Sequence, residues 1–104
     1  CPSSVDVKKN SPNSFIVFPS YPNPFNPTTM LQYDLPEDGF VNIRVYDIKG
    51  MMVRTLFNEQ QTAGYKMIQW DAKDDTGNQV STGVYLYQID YDGFRHIKKM
   101  IFLK

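Results

Sequence analysis

The 104-residue chain has one cysteine, Cys1, and one histidine, His96, and no excess of charge of either sign: 11 Lys and Arg stand against 11 Asp and Glu. A single cysteine excludes an internal disulfide and a cysteine-based zinc site assembled within one chain. It leaves the redox compartment open, because a domain of about 100 residues buries roughly two-thirds of its unfolded surface and folds without metal or cross-link. The balanced charge argues against a nucleic-acid partner and against a polybasic membrane-surface segment, both of which need a basic excess to meet phosphates. No apolar run approaches the roughly 20 residues that span a bilayer, so insertion into a membrane as a helix is not expected. No basic region precedes an apolar stretch at the N-terminus, so the chain does not start with an unprocessed signal peptide. Beginning at Cys1, it reads as a fragment or a processed product. Cys1 is then either a domain boundary or the lipidated first residue of a mature protein.

Catalytic chemistry is scarce as well. His96 stands beside Arg95, Lys98 and Lys99, a setting for a solvated or packing residue rather than a general base. There is no Gly-x-Ser-x-Gly elbow, no phosphate-binding glycine loop and no His-Glu-x-x-His run. The expectation is a chain without enzymatic activity.

What the sequence does contain is punctuation and alternation. All seven prolines fall at or before Pro36 and all six glycines at or after Gly39. Residues 1–13 lack apolar periodicity and read as a linker or flexible tail, with a folded domain over 14–104. The glycines at Asp38-Gly39, Lys49-Gly50, Ala63-Gly64, Gly77, Thr82-Gly83 and Asp92-Gly93 mark turns where a positive φ is cheapest. Between them, Val41, Ile43 and Val45 alternate with Asn42 and Arg44; Thr29, Leu31, Tyr33 and Leu35 make a second row; Ile68 and Trp70 a third. Tyr85, Tyr87, Ile89 and Tyr91 line one side of a segment that carries Val84 and Leu86 on the other, so a central strand buried on both faces at its start is expected. Asp92-Gly93 suits a type I′ hairpin leading into the last strand, whose facing is ambiguous: Ile97, Ile101 and Leu103 compete with Met100 and Phe102. Seven strands near 14–18, 28–35, 40–47, 52–57, 64–70, 83–91 and 94–103 predict an all-β, immunoglobulin-like sandwich of antiparallel strands, with Trp70 as its buried aromatic.

Two local clusters carry chemistry of their own. Asp71, Asp74 and Asp75 lie close to Asn78 and would supply oxygens to Ca²⁺. Lys73 and the lack of a closing acidic residue depart from an EF-type loop, and the competing reading is a set of Asx turns around Gly77. The adopted expectation is no cofactor, with calcium as the alternative. Tyr21-Pro-Asn-Pro-Phe-Asn-Pro27 cannot join a ladder as a donor at its prolines. It is expected to carry the chain from one sheet to the other with Tyr21 and Phe25 plugging the end of the core, the alternative being a polyproline ligand for an aromatic groove.

Tyr21-Pro-Asn-Pro-Phe-Asn-Pro-Thr-Thr, Tyr33-Asp-Leu-Pro, Val45-Tyr-Asp-Ile-Lys-Gly, Ala63-Gly-Tyr, Trp70-Asp, Asp75-Thr-Gly, Ser81-Thr-Gly-Val-Tyr-Leu-Tyr and Lys98-Lys-Met-Ile-Phe-Leu-Lys occur in this order. The succession resembles the C-terminal sorting domains of proteins exported by the type IX (Por) secretion system, and the related Ig-like domain of the flagellar hook-capping protein, over about residues 14–104. The resemblance implies a non-catalytic module that directs an upstream cargo through the outer-membrane translocon, by way of the periplasm, to the bacterial cell surface or medium. It further implies that residues 1–13 contain or adjoin a cleavage site and that the chain ends at a protein C-terminus. Carried over by position, partner recognition would involve Gly83, Val84 and Tyr85 at one strand start, and Lys98, Lys99, Met100, Ile101, Phe102, Leu103 and Lys104 at the end. A last strand near a sheet edge would offer backbone groups for strand addition or an edge-strand dimer, with the lysine pair as gatekeepers. The competing readings are a structural Ig-like accessory or assembly domain of a larger extracellular protein, and carbohydrate binding through exposed tyrosines, against which Tyr85, Tyr87 and Tyr91 are expected in the core.

Overall fold

Period-two alternation directs each apolar row to a common interior. The structure, a computed structural model, describes residues 14–103; the linker reading of 1–13 and the recognition role of Lys104 lie outside the described residues. Seven strands form: β1 (Ile16–Val17), β2 (Thr29–Leu35), β3 (Gly39–Asp47), β4 (Met52–Gln61), β5 (Gly64–Trp70), β6 (Gly83–Tyr91) and β7 (Phe94–Phe102). They pair antiparallel into two sheets, ordered β1-β2-β5 and β4-β3-β6-β7. This is the expected Ig-like β-sandwich.

The core is the set of inward rows. Leu31, Tyr33 and Leu35 of β2 face Val41, Ile43 and Val45 of β3 and Tyr87 and Ile89 of β6, all within 1% of complete burial. Each such side chain contributes about 1.5–3 kcal/mol through removal from water. Trp70 is fully buried, as expected, and its Nε1–H donates to the Lys73 carbonyl at 3.0 Å. The β6 tyrosines bury their rings and donate their hydroxyls outward to the backbone: Tyr87 to Phe18 at 2.8 Å, Tyr91 to Glu37 at 2.6 Å, and Tyr85 to Ser81. A buried phenol must find such a partner, and burial pushes the Tyr87 hydroxyl up to about 12.

β6 lies between β3 and β7, central as expected, with Val84 and Leu86 half-buried on its outer face. The facing of β7 is decided by its neighbour. Register pairs Tyr85 with Met100 and Gly83 with Phe102, which turns Met100 and Phe102 into the core and leaves Ile97 and Leu103 exposed. Asp92 and Gly93 both have positive φ, as a type I′ turn requires.

Two expectations need correction. β4 runs to Gln61 rather than ending near 57. Its polar end Asn58–Gln61 pairs with Gly39–Asn42, so β3 holds it in place where no apolar alternation could announce it; Asn42 Nδ2 donates to Asn58 Oδ1 at 2.8 Å. Gly39 is not a positive-φ turn residue but opens β3, where a Cβ would stand 2.7 Å from Tyr91 Cε1. Its missing side chain is room for that ring.

Candidate functional site

The last strand and the proline-rich segment form one construction. At one end of the segment, the Tyr21 and Met30 backbones exchange hydrogen bonds of 3.1 and 2.9 Å, which ties it to the first sheet. At the other, the Phe25 amide donates to the Ile101 carbonyl at 2.9 Å and the Leu103 amide donates to the Phe25 carbonyl at 3.0 Å, a short parallel bridge to the second sheet. The chain thus crosses between sheets within five residues, as its prolines lead one to expect; the peptide bonds preceding Pro22, Pro24 and Pro27 are cis. Asn23 adds a side-chain clamp: its Oδ1 accepts from the Ile101 amide at 2.9 Å and its Nδ2 donates to the Lys99 carbonyl at 3.3 Å.

Phe25 anchors the crossing. It is 2% exposed, stacks on Phe102 with ring centroids 5.2 Å apart, and tilts against Trp70 at 5.7 Å. Tyr21, expected beside it in the core, is instead 78% exposed; its backbone bridge to Met30 leaves the ring outside. With Phe25 in the core and its backbone bonded to β7, the segment is not free to serve as a polyproline ligand.

This arrangement divides the edge of β7 in two. In an antiparallel ladder, successive residues point their N–H and C=O groups alternately to one neighbour and the other. The Ile101 groups and the Lys99 carbonyl point away from β6 toward the loop, so the N–H and C=O of Arg95 and Ile97 and the N–H of Lys99 face the same open side. Among the described residues none of these is hydrogen-bonded. The expectation of a last strand with a free edge therefore holds for residues 95–99 and fails for 101–103, which the loop already covers. The opposite edge of the sheet, β4, carries a cover of its own at Val53 and Thr55, where the Asp75 amide donates to the Val53 carbonyl and Asp75 Oδ1 accepts from the Thr55 amide, each at 3.1 Å. It is irregular as well, with register shifts between Ile43 and Arg44 and between Val45 and Tyr46.

The residues singled out from the sequence for partner recognition take different positions. Tyr85, Met100 and Phe102 are buried in the core, where they hold the strand. Gly83, Val84, Lys98 and Ile101 are half-buried, and Lys99 and Leu103 are exposed. Among the described residues neither Lys98 nor Lys99 has an ion-pair partner, whereas Arg95 bonds Asp90 at 2.9 Å, a contact that raises its pKa above the ordinary value. Asn23, Phe25, Arg95 and Ile97 were not among the expected site residues. The one visible signal was an asparagine set between two prolines, a side chain able both to donate and to accept where the neighbouring residues lack a backbone donor.

The aspartate cluster is dispersed. Asp74 accepts from the Thr76 hydroxyl at 2.6 Å and from the Thr76 and Asn78 amides at 3.0 Å each, which lowers its pKa. Asp75 accepts from the Thr55 amide at 3.1 Å, and Asp71 pairs with Arg54 at 3.1 Å. Three carboxylates with three separate partners make turns rather than a cage, and no group of three or more acidic, histidine or cysteine side chains converges among the described residues. His96 sets its ring edge-on to Phe15, centroids 4.9 Å apart, in an open cleft with Tyr91 and Phe94. Tyr85, Tyr87 and Tyr91 are core, as expected, and the exposed tyrosines Tyr21 and Tyr65 lie on the loop and on β5.

Comparison with known proteins agrees with this architecture. PorU of Porphyromonas gingivalis, solved as a latent dimer, superposes on 84% of the chain with TM-score 0.68 at 23% identity. PorZ of the same organism, described as an essential surface component of the type-IX secretion system, superposes on 85% with TM-score 0.56 at 19% identity. At these identities the likeness is one of fold. FlgD of P. aeruginosa is 33% identical over 71% of the chain, with TM-score 0.53. The chain spans only 9% of the PorU chain, 11% of PorZ and 60% of FlgD. None of the curated proteins matches it. The family model of the FlgD Ig-like domain matches residues 27–93, from the end of the proline-rich segment through the β6–β7 turn, and the chain belongs to that family.

Proposed function

We propose that this domain is a non-catalytic sorting module of an exported bacterial protein, which directs an upstream cargo through the type IX translocon to the cell surface or medium. The observation that carries the reading is the end of β7: a C-terminal strand held by its own core residues and by the loop, with Lys99 and Leu103 turned to solvent. A translocon that must accept many cargoes needs a folded handle common to them, and a strand end with a solvent-facing cationic side is such a handle. The likeness to PorZ adds a neighbour from the same secretion system. The module works without a cofactor, and its partners are the translocon and the cargo. Membership in the FlgD Ig-like family favours a second reading, a structural accessory or assembly domain that needs no translocon.

The test is a fusion of residues 14–104 behind a signal peptide and a fluorescent reporter, expressed in a bacterium with a type IX system. Deleting 98–104 would remove the buried Met100 and Phe102 and unfold the domain, so the paired variant carries Lys98→Glu, Lys99→Glu and Leu103→Ser instead, checked for folding by circular dichroism. The sorting reading expects the parent fusion outside the cell and the folded variant retained in the periplasm. Retention of both supports the accessory domain.

A further inference from the structure

From the half-covered edge of β7 we infer that residues 95–99 form a docking site for an extended acidic segment of a partner protein, added to the four-stranded sheet as a fifth strand. The inference deepens the sorting reading and rests on it only for the partner's identity. Three features of the edge define what fits. First, the unpaired backbone groups of Arg95, Ile97 and Lys99 form a ladder of limited length, bounded at one end by the β6–β7 turn and at the other by the Asn23 and Phe25 bonds to Ile101 and Leu103. An incoming strand therefore finds room for about five residues. Second, register places Arg95, Ile97 and Lys99 on the outer face, opposite Asp90, Gln88 and Leu86 of β6, with Ile97 55% exposed between the two cations. Third, Arg95 already shares Asp90, and its guanidinium has donors left for a second carboxylate; Lys99 has no anionic partner among the described residues.

These features exclude a second copy and select an acidic partner. Two β7 strands paired antiparallel about Ile97, the register that engages all the open groups, would set Arg95 of each copy directly opposite Lys99 of the other. Like charges so placed destabilise a pair. A strand with the pattern acidic, any, apolar, any, acidic places carboxylates opposite Arg95 and Lys99 and an apolar side chain opposite Ile97, and it does so in either direction. The loop acts in the opposite sense, since by closing 101–103 it prevents the ladder from lengthening into the indiscriminate edge that aggregates.

The experiment uses the chain itself, isotope-labelled, with two capped probe peptides of one-letter sequence TDTVTET and TKTVTKT. The amide signals of Arg95, Ile97 and Lys99 are expected to shift and their exchange to slow with the acidic probe, those of Ile101 and Leu103 to stay unchanged, and the basic probe to bind about tenfold more weakly. Arg95→Glu with Lys99→Glu, both exposed positions, should reverse the preference; Ile97→Pro, which removes an outward donor at an edge position that tolerates proline, should abolish binding by both. No response to the acidic probe up to about 5 mM, a response centred elsewhere, or a dimer whose interface maps to 95–99 overturns the inference. Expressed as fusions, the variants separate the two proposals. A folded Ile97→Pro protein that no longer binds the probe but is exported normally upholds the edge as a docking site, overturns the translocon as its partner and leaves sorting standing, whereas probe binding by a parent fusion that stays periplasmic upholds the edge and overturns sorting.

Discussion

Phe25→Ala tests whether the proline-rich crossing belongs to the core or merely lies upon it. The ring is 2% exposed and sits between Trp70 and Phe102. Burying a phenylalanine removes roughly 150–200 Å² from water, which at about 25 cal/mol/Å² amounts to ~4 kcal/mol, less the share an alanine methyl retains. Losing two aromatic contacts adds about 0.5–1.5 kcal/mol each, and partial collapse of the cavity returns some of it. The expected loss is ~3–4 kcal/mol, against a total of about 5–13 kcal/mol for a domain of this size. In thermal terms that is a fall in Tm of roughly 12–30 °C. Urea denaturation followed by circular dichroism and by the fluorescence of Trp70, the only tryptophan, measures it directly, and hydrogen exchange locates it: the Ile101 and Leu103 amides should lose protection before the β3 amides do. Tyr21→Ala, at a position 78% exposed, is the control and should stay within about 0.5 kcal/mol of the parent. A Phe25→Ala loss below about 1 kcal/mol, or unchanged protection at Ile101, would refute the idea that the segment clasps the strand through this ring.

Three further outcomes follow from the same geometry. Asn23→Ala removes two side-chain bonds to β7 and should cost about 1–2 kcal/mol in urea titration, with faster exchange at the Ile101 amide. Gly39→Ala drives a methyl into the Tyr91 ring, which its hydroxyl bonds to Glu37 hold in place, for a loss of about 1–3 kcal/mol by calorimetry; a neutral result would show that the ring yields. Asp34 is buried on β2, and that burial raises its carboxyl pKa above 3.8. A raised acid pKa means the folded state favours the protonated form, so this group adds stability as pH falls through its folded pKa toward the unfolded value and opposes folding above it. Asp34→Asn should therefore be more stable than the parent at pH 7 and lose that advantage below pH about 4, a crossing that denaturation at several pH values would reveal.

Much of this protein was legible in its sequence because the governing physics is local. A strand shows its two faces at a period of two, so the rows Val41-Ile43-Val45 and Leu31-Tyr33-Leu35 announced the core, and Asp92-Gly93 announced its hairpin, without reference to any distant residue. The order of motifs along the chain also pointed to the family. The facing of β7, the extension of β4 and the clasp were not accessible in this way. In β7 both faces offer apolar residues, and only pairing with Tyr85 and Gly83 chose Met100 and Phe102 over Ile97 and Leu103. β4 continues through polar residues because β3 is there to bond them. The clasp joins Asn23 to Ile101 across 78 positions of chain, and such a bond exists only after the two sheets have closed. Local alternation thus determined which residues are inside, while the packing of the sheets decided which backbone groups of the last strand remain open to a partner.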